Sequence, residues 1–335
     1  MPSVTLALDA MGGDVGPAVT VPAACHFVAQ HPDCTVILVG LEADIHHYLP
    51  TDRLPSRLEI QAASQVVAMD EPPASALRKK KDSSLRIAIE LVKSGRAGAC
   101  VSSGNTGALM ATARFVLKTL PYIDRPAIIA SVPAADGRTW MLDLGANVDS
   151  VAEHLHQFAI MGIELIRAVD GLSRPMVGLL NIGQEDIKGN AQIKQAHQLI
   201  SESDLNYVGY IEGDDIYLRP GLDLVVTDGF AGNIALKTSE GLAKLIKTRL
   251  QHEYRRNWWR RLAAVCSLPV LKSMQQQIDP RCYNGASLLG LRGIVVKSHG
   301  GADQFALEHA LLMAKKEVRA NVPYQIADRV AAHLA

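Results

Sequence analysis

The chain alternates short apolar segments, most of which end in Gly, Asp, Asn or Ser, with longer segments of helical periodicity. The apolar segments span residues 4–9, 35–40, 99–102, 141–144, 176–181, 222–228 and 293–298. The helical segments span residues 17–30, 83–93, 106–118, 150–169, 191–202, 234–253 and 302–318. Strands that alternate with helices need crossover connections, which place helices on both faces of a mainly parallel sheet. The sequence therefore predicts an α/β fold.

One segment interrupts this alternation. At residues 255–285 a basic stretch, RRNWWRR, precedes an apolar run that is broken by Pro269. No internal repeat, low-complexity tract or Pro/Gly-rich linker divides the 335 residues, although this length would allow two domains. We therefore predict a single α/β domain over residues 1–335, with a helical excursion at 255–285.

Composition excludes several classes of protein. The 34 basic and 34 acidic residues cancel, which argues against bulk nucleic-acid binding. The five cysteines are scattered and lack a CxxC spacing, so neither a disulfide framework nor a zinc site is expected. The N-terminus lacks the basic region of a signal peptide, and the longest apolar run, 262–271, is about half the roughly 20 residues of a membrane span. A cytoplasmic protein is expected.

Six strand ends carry Gly together with small polar side chains, at residues 9–14, 102–107, 143–147, 181–185, 227–233 and 297–301. Ligands of open α/β sheets bind outside the carboxyl ends of the strands, where helix N-termini present unpaired N–H groups. Glycine lets the backbone approach a ligand closely. Any one of these loops also fits ordinary turn chemistry. Six in one chain favour a site for a compact anion, for which residues 103–107 offer the best phosphate cradle.

Other catalytic arrangements find no support. The sequence contains no GxSxG, GxxxxGK[ST], HExxH or GxGxxG motif. His154 and His156 lie two apart on a predicted helix, so they face different directions and cannot form a metal pincer. Cys100 lies in an apolar strand, which favours a buried residue over a nucleophile. For His299, at a strand end, a ligand or acid role and simple loop packing both remain open.

These loops resemble the bacterial phosphate acyltransferase family of phospholipid synthesis. The matching stretches run through nearly the whole chain: ALDAMGGDVGP (7–17), ACVSSGNTGALM (99–110), LDLGANVD (142–149), LLNIGQEDIKG (179–189), VTDGFAGNIALKTSEG (226–241) and YNGASLLGLRGIVVKSHG (283–300). The resemblance implies a three-layer α/β/α sandwich related to the phosphate acetyltransferase and isocitrate dehydrogenase folds, working as a homodimer.

The activity implied by the resemblance is transfer of a long-chain acyl group from acyl-(acyl carrier protein) to inorganic phosphate. Phosphate would attack the thioester directly, without a covalent enzyme intermediate, because phosphate is substantially dianionic at neutral pH and a thiolate leaves readily. The acyl phosphate would pass to a membrane glycerol-phosphate acyltransferase. No cofactor, metal ion or nucleic acid is expected to bind.

From the chemistry of this reaction we hypothesise roles for the loops. The expected phosphate ligands are Ser103, Gly104, Asn105 and Thr106. The rest of the substrate site is expected to comprise Asp9, Gly12, Gly13, Asp14, Asn147, Asn181, Asp228 and Gly229. The expected catalytic residues are Lys188, Asn233, Lys297 and His299.

The excursion would serve the acyl chain. A 16-carbon chain represents on the order of 12 kcal/mol of apolar burial, so a groove or a membrane is needed to receive it. We expect peripheral contact with the inner face of the cell membrane, or with the carrier protein, through Arg255, Arg256, Trp258, Trp259, Arg260, Arg261, Leu268 and Leu271. A helical hairpin packed against a dimer partner fits the same pattern, and some of the arginines could instead recognise an acidic carrier protein.

Three other functions compete with this one. A short-chain transferase that uses coenzyme A would not need a carrier protein. A catalytically silent membrane adaptor would not need six polar loops. A nicotinamide-linked dehydrogenase of the β-decarboxylating type would need an acidic metal-binding cluster, which the sequence lacks.

Overall fold

The computed structural model describes residues 3–50 and 53–334, without the side chains of Gln275 and Leu334. Its strands are β1 Val4–Asp9, β2 Cys34–Gly40, β3 Leu58–Ala62, β4 Ala99–Ser102, β5 Ala127–Ala134, β6 Gly137–Leu142, β7 Met176–Leu180, β8 Asn206–Ile211, β9 Leu224–Val226, β10 Ala286–Leu289 and β11 Ile294–Lys297. Its helices are α1 Pro17–Gln30, α2 Glu42–His47, α3 Pro73–Lys79, α4 Ser84–Lys93, α5 Thr106–Leu117, α6 Ala152–Asp170, α7 Ala191–Ser201, α8 Asp215–Leu218, α9 Gly229–Arg255, α10 Trp258–Ile278, α11 Gln304–Ala320 and α12 Val322–Leu334.

All of the strands belong to one 11-stranded sheet, in the order β3-β2-β1-β4-β11-β10-β5-β6-β9-β7-β8. The first five strands run parallel to one another, and so do the last four. Three antiparallel pairings, β11 with β10, β10 with β5 and β5 with β6, join these two blocks. The two parallel blocks therefore run in opposite directions.

Helices cover both faces of the sheet. Successive residues of a strand point to opposite faces, so neighbouring side chains pack against different helices. In β1, Leu6 and Leu8 pack with α1 and α11, whereas Ala7 faces α4 and α5. In the other block, Leu142 packs with α6 and α12, and Met141 joins the opposite cluster. These layers are the predicted three-layer sandwich.

Each strand predicted from the sequence has a counterpart in the sheet, but β3, β5, β8 and β10 were not predicted. β8 is mostly half-buried, so its apolar pattern is weak. β5 and β10 form two of the antiparallel pairs, and these pairs reverse the second block. Cys100 is fully buried in β4, as predicted.

The excursion is a hairpin of two long helices, which we call the hairpin: the second half of α9, from residue 240, and all of α10. It begins earlier than predicted, because α9 continues as one helix of 27 residues from the strand-end loop to Arg255. Nearly all of its side chains are exposed, including Leu242, Leu245 and Val265. Within residues 3–50 and 53–334, no helix combines the length and the apolar character needed to span a membrane.

Candidate active site

Three of the six polar loops meet where the neighbouring parallel strands β1, β4 and β11 end. The Asp14 N–H donates to the carbonyl of Gly300 at 2.9 Å. A Cβ on Gly12 would lie 2.7 Å from the Gly104 nitrogen, so only glycine allows these loops to approach so closely. Gly13 has a φ of +96°, which also favours glycine. We call residues 9–16, 102–106 and 297–301 the cradle.

The cradle encloses a shallow pocket. It is lined by Gly12, Gly13, Val15, Gly16, Val19, Thr20, Ser103, Gly300 and Ala302. Helices α1 and α5 begin at its edge, and neither has an acidic residue in its first turn. The two N-termini present partial positive charge, which suits a compact anion, and the Asp14 carboxylate lies close by, against Gly300 and Gly301.

A buried carboxyl group organises the floor of the cradle. Asp9 is fully buried, and its Oδ2 accepts a hydrogen bond from the Ser102 hydroxyl at 2.7 Å. The Ser102 oxygen in turn accepts from the Gly104 N–H at 3.0 Å. Burial raises the pKa of Asp9, although hydrogen bonds from Ser102 and Ser84 oppose the rise. The other carboxyl oxygen, Oδ1, is buried without a hydrogen-bond partner.

A buried lysine faces the same loops. The Lys297 ammonium donates to the carbonyl of Ser103 at 3.3 Å and to that of Ser298. Burial lowers the pKa of Lys297 to about 8, and Asp9 and Asp14 partly oppose this shift. A pKa near 8 leaves the side chain mostly cationic at neutral pH, as binding of an anion requires, and able to lose a proton, as acid catalysis requires.

The four residues expected to hold phosphate lie together in the cradle, but Asn105 is already engaged. Its Oδ1 caps α5 by accepting from the Ala108 N–H at 2.9 Å. Its Nδ2 donates to the carbonyls of Met69 and Glu71 at 2.8 and 3.0 Å. Asn105 therefore anchors the 68–71 loop beside the cradle. Thr106 is exposed at the first position of α5.

Two further loops form a second cluster after β6 and β9. The buried Asp143 carboxylate accepts hydrogen bonds from four backbone N–H groups and from the Asn147 amide. Burial raises the pKa of Asp143 in spite of these bonds. The Gly229 N–H donates to the Asn147 carbonyl, and Asp228 caps α9. This framework leaves Asn233 exposed on the first turns of α9, against Gly145.

The second cluster belongs to the block of strands that runs opposite to the cradle's block, so it is not part of the cradle. The connection that the structure gives between them is electrostatic: the Lys237 ammonium, one turn beyond Asn233, is near enough to lower the pKa of Lys297. Lys237 is also paired with Glu240 at 2.8 Å.

The sixth loop, after β7, makes contacts within itself. The Asn181 amide donates to the carbonyl of Gly183 at 3.0 Å, within the same loop. Lys188 is exposed, and its stem lies against Gly183. The structure thus places Asn181 and Lys188 together, after a strand of the block opposite to the cradle.

His299 lies at the rim of the cradle and is exposed. Its Nδ1 accepts from the Gly301 N–H at 3.1 Å, so the neutral ring carries its proton on Nε2. The His299 backbone N–H donates to the side chain of Asn284, which also donates to Ser298. Sequence reasoning did not single out Asn284, nor Asp143 and Ser102. The stretch YNGAS, in which Asn284 lies two residues before β10, was the sequence signal that could have indicated it.

The residues expected to contact a membrane or carrier lie on the hairpin, around its tip. Trp258 and Trp259 are more than half exposed, and their rings stack at 3.5 Å. Arg256 and Arg260 pair with Glu253, whereas Arg255 and Arg261 are exposed. On α10, Leu268 is 56% exposed and Leu271 is half-buried. Among the described residues, no group of three His, Cys, Asp or Glu side chains could hold a metal ion.

Comparison with known proteins identifies relatives over nearly the full length. The family model described as "Fatty acid synthesis protein" matches residues 4–325. The phosphate acyltransferase of Methylococcus capsulatus is 58% identical over 328 residues, covering 97% of this chain and 96% of its own. That of Alkalilimnicola ehrlichii is 58% identical over 336 residues, covering 99% and 98%.

Solved structures support the fold. A phosphotransacetylase from Streptococcus pyogenes superposes with a TM-score of 0.65 at 16% identity, covering 95% of this chain and 94% of its own. The EutD phosphotransacetylase from Staphylococcus aureus gives a TM-score of 0.62, with the same identity and coverage. The predicted phosphate acetyltransferase-like fold is confirmed.

Proposed function

The chain belongs to the fatty acid synthesis protein family, whose relatives are phosphate acyltransferases, and from this premise we propose that it transfers a long-chain acyl group from acyl-(acyl carrier protein) to inorganic phosphate. Transfer of an acyl group to phosphate follows from membership of the family. Our proposal concerns the acyl donor, acyl-(acyl carrier protein), the product, acyl phosphate, and the mechanism of transfer. The cradle is the observation that carries it, because glycine loops, two helix N-termini and a buried lysine suit a phosphate dianion.

The reaction needs no enzyme nucleophile. A phosphate oxygen forms a bond to the thioester carbonyl carbon, the C–S bond breaks, and the carrier thiolate leaves and takes up a proton. The protein orients the two reactants and stabilises the oxyanion that develops on the thioester oxygen. Each of these contributions is worth several kcal/mol of the activation barrier.

Lys297 is the group that we place beside the phosphate, since its ammonium lies against the Ser103 carbonyl at the pocket. At neutral pH it would balance the charge of the dianion and could supply the proton that the thiolate takes up. His299, with Nε2–H at the rim, is proposed to donate to the developing oxyanion. Asn233 and Lys188 are proposed to complete the site from the opposite block.

The hairpin is proposed to serve both as the dimer contact and as the contact with lipid. Both helices carry exposed apolar side chains, and α10 begins at the basic tip with two stacked tryptophans. We propose a single-domain homodimer in the cytoplasm that touches the inner face of the cell membrane and delivers acyl phosphate to a membrane glycerol-phosphate acyltransferase. Trp258 and Trp259 would lie in the lipid interface, with Arg255 and Arg261 at lipid phosphates.

Liposome flotation tests the lipid contact. The variant Leu268→Glu/Leu271→Glu should stay with the soluble fraction, whereas wild type floats with anionic vesicles. The control Ser273→Glu/Gln276→Glu adds the same charge to exposed positions of α10 and should still float. Equal flotation of all three proteins would contradict the proposed lipid contact.

The reaction itself is tested by mixing the protein with palmitoyl-(acyl carrier protein) and phosphate and measuring acyl phosphate and free carrier thiol. Both should appear in equal amounts and only when phosphate is present. Palmitoyl-coenzyme A and acetyl-coenzyme A, tested in parallel, distinguish a carrier-dependent enzyme from a transferase that uses coenzyme A. Absence of acyl phosphate with every donor would refute the proposal.

A further inference from the structure

A basic surface lies on α3 and α5. Its members share high exposure, and among the described residues none of them forms an ion pair with a carboxylate. They are Arg78, Lys79, Lys81, Arg114 and Lys118. We call them, together with Phe115, the α3–α5 surface. The chain as a whole has no net charge, so these five positive charges form a local field that its composition conceals.

Three interactions hold this surface together. The Arg86 guanidinium, on α4, donates to the carbonyl of Leu77 in α3 at 3.4 Å and lies 5.8 Å from the centre of the Phe115 ring. The Lys118 ammonium lies 4.8 Å from the same ring. Arg86 thereby joins α3 to α5. Phe115 is 52% exposed between two cations, which fix its position.

The α3–α5 surface adjoins the cradle. Asn105 caps the N-terminus of helix α5 and also binds the loop that leads into α3. Pro73 packs so closely on Gly107 that a Cβ there would lie 2.7 Å from the proline ring. Ten residues of helix separate Asn105 from Phe115, about 15 Å along the axis of α5. A molecule bound on this surface could therefore reach the pocket with a short flexible arm.

The chemistry of the surface favours a protein as its occupant. An exposed aromatic ring surrounded by arginine and lysine side chains is typical of a protein–protein contact, in which charges steer the partner and the ring is an anchor. A lipid surface needs many apolar side chains to enter the interface, and the hairpin has these whereas the α3–α5 surface has one.

We propose that the α3–α5 surface binds an acidic carrier protein and holds it so that its acyl thioester extends along α5 into the cradle. This inference rests on the proposed function for the identity of the donor. The hairpin then serves lipid and dimerisation, and the carrier has a separate site next to the phosphate pocket.

Charge reversal at two exposed positions tests the surface. Lys79→Glu/Arg114→Glu is compared with Lys93→Glu/Arg174→Glu, which makes the same change at exposed residues elsewhere; Lys79 and Lys93 are each the last residue of a helix. Far-UV circular dichroism and thermal melting show whether the variants are folded. Phe115→Ala removes the aromatic anchor without changing the charge.

Binding is measured by titration with holo-(acyl carrier protein) at low ionic strength, and turnover with palmitoyl-(acyl carrier protein) and with palmitoyl-pantetheine. For Lys79→Glu/Arg114→Glu we expect carrier affinity and kcat/KM for the carrier substrate to fall about tenfold or more, with a weaker salt dependence than wild type. Turnover of palmitoyl-pantetheine, which has no protein to dock, should stay as in wild type. The control pair should match wild type throughout.

The outcomes separate this inference from the proposed function. Carrier binding that is unchanged in Lys79→Glu/Arg114→Glu overturns the docking surface, even if wild type makes acyl phosphate. If the variant loses binding to anionic vesicles but binds the carrier as wild type does, the surface contacts lipid, and the proposed docking of the carrier is overturned as well. If wild type binds the carrier but makes no acyl phosphate, and the variant no longer binds the carrier, the docking surface is supported and the proposed reaction is refuted.

Discussion

The charge of Lys297 gives the sharpest test of the cradle. The ammonium is buried, contacts the Ser103 carbonyl, and has its pKa lowered to about 8. If this charge stabilises phosphate or the developing oxyanion, the reaction should slow as the lysine loses its proton. A group with a pKa of about 8 is roughly 90% protonated at pH 7 and roughly 10% protonated at pH 9. We therefore expect kcat/KM for phosphate to fall about tenfold between these pH values.

Phosphate does not account for such a loss, because its second pKa, about 6 to 7 by analogy with phosphoesters, means that its dianionic fraction only rises between pH 7 and pH 9. Asp14 supplies a further control. Its carboxylate raises the pKa of Lys297, so Asp14→Asn should move the decline in rate to lower pH. Lys297→Arg keeps the positive charge at every pH of the experiment and should abolish the decline, whatever its absolute rate.

The measurement is the initial rate of thiol release from palmitoyl-(acyl carrier protein) between pH 6.5 and 9.5, at phosphate concentrations below KM. Under these conditions the rate is proportional to kcat/KM, whose pH dependence reports the pKa values of groups in the free enzyme. If Lys297→Gln keeps both the rate and the pH profile of wild type, the lysine has no part in the reaction. A flat wild-type profile would likewise contradict a catalytic ammonium with a pKa near 8.

Three further predictions concern stability and the cradle. Gly12→Ala places a Cβ 2.7 Å from the Gly104 nitrogen, so thermal melting should show a loss of about 1–3 kcal/mol together with lost turnover, whereas Gly241→Ala, which meets open space in α9, should leave stability unchanged or raise it. Burial raises the pKa of Glu317 to about 8, so the side chain stays protonated in the folded protein at pH values where it ionises in the unfolded chain. The free energy of unfolding should therefore fall by about 1.4 kcal/mol for each pH unit as the pH rises from 4.5 to 8. Urea unfolding of Glu317→Gln should lack this slope, and an unchanged slope would exclude Glu317 as its source. Asn105→Asp keeps the helix cap but loses the amide donor, so its melting temperature should be closer to that of wild type than the melting temperature of Asn105→Ala. Both variants should lose turnover, because neither can anchor the 68–71 loop. Equal turnover in wild type and both variants would exclude this anchor from function.

The cradle was the most predictable part of the molecule. Strands that end in DAMGGD, SSGNTG and KSHGG fix the positions of three loops, and parallel pairing of β1, β4 and β11 brings them together. The role of Asn105 could not be predicted in this way, since its amide binds carbonyls 34 and 36 residues earlier in the chain. The burial of Lys297 also depends on the whole fold, because a lysine at a strand end is usually solvated.

The opposite directions of the two blocks were not predictable from local patterns. They follow from β5 and β10, whose pairing depends on tertiary contacts between distant segments. For this reason the sequence grouped six loops that the structure divides between two blocks. The hairpin was predicted to start too late, because the helical periodicity of α9 is unbroken where the helix leaves the body of the protein.

This division has a consequence for how the enzyme can vary. The strands β10, β5 and β6 lie between β11, which carries Lys297, and β9, which leads to Asn233. If both residues serve the proposed reaction, the pairing of these strands sets the distance between them. Substitutions in the polar loops would then change the chemistry at constant spacing, whereas a change in the register of these strands would change the spacing and leave every loop residue in place.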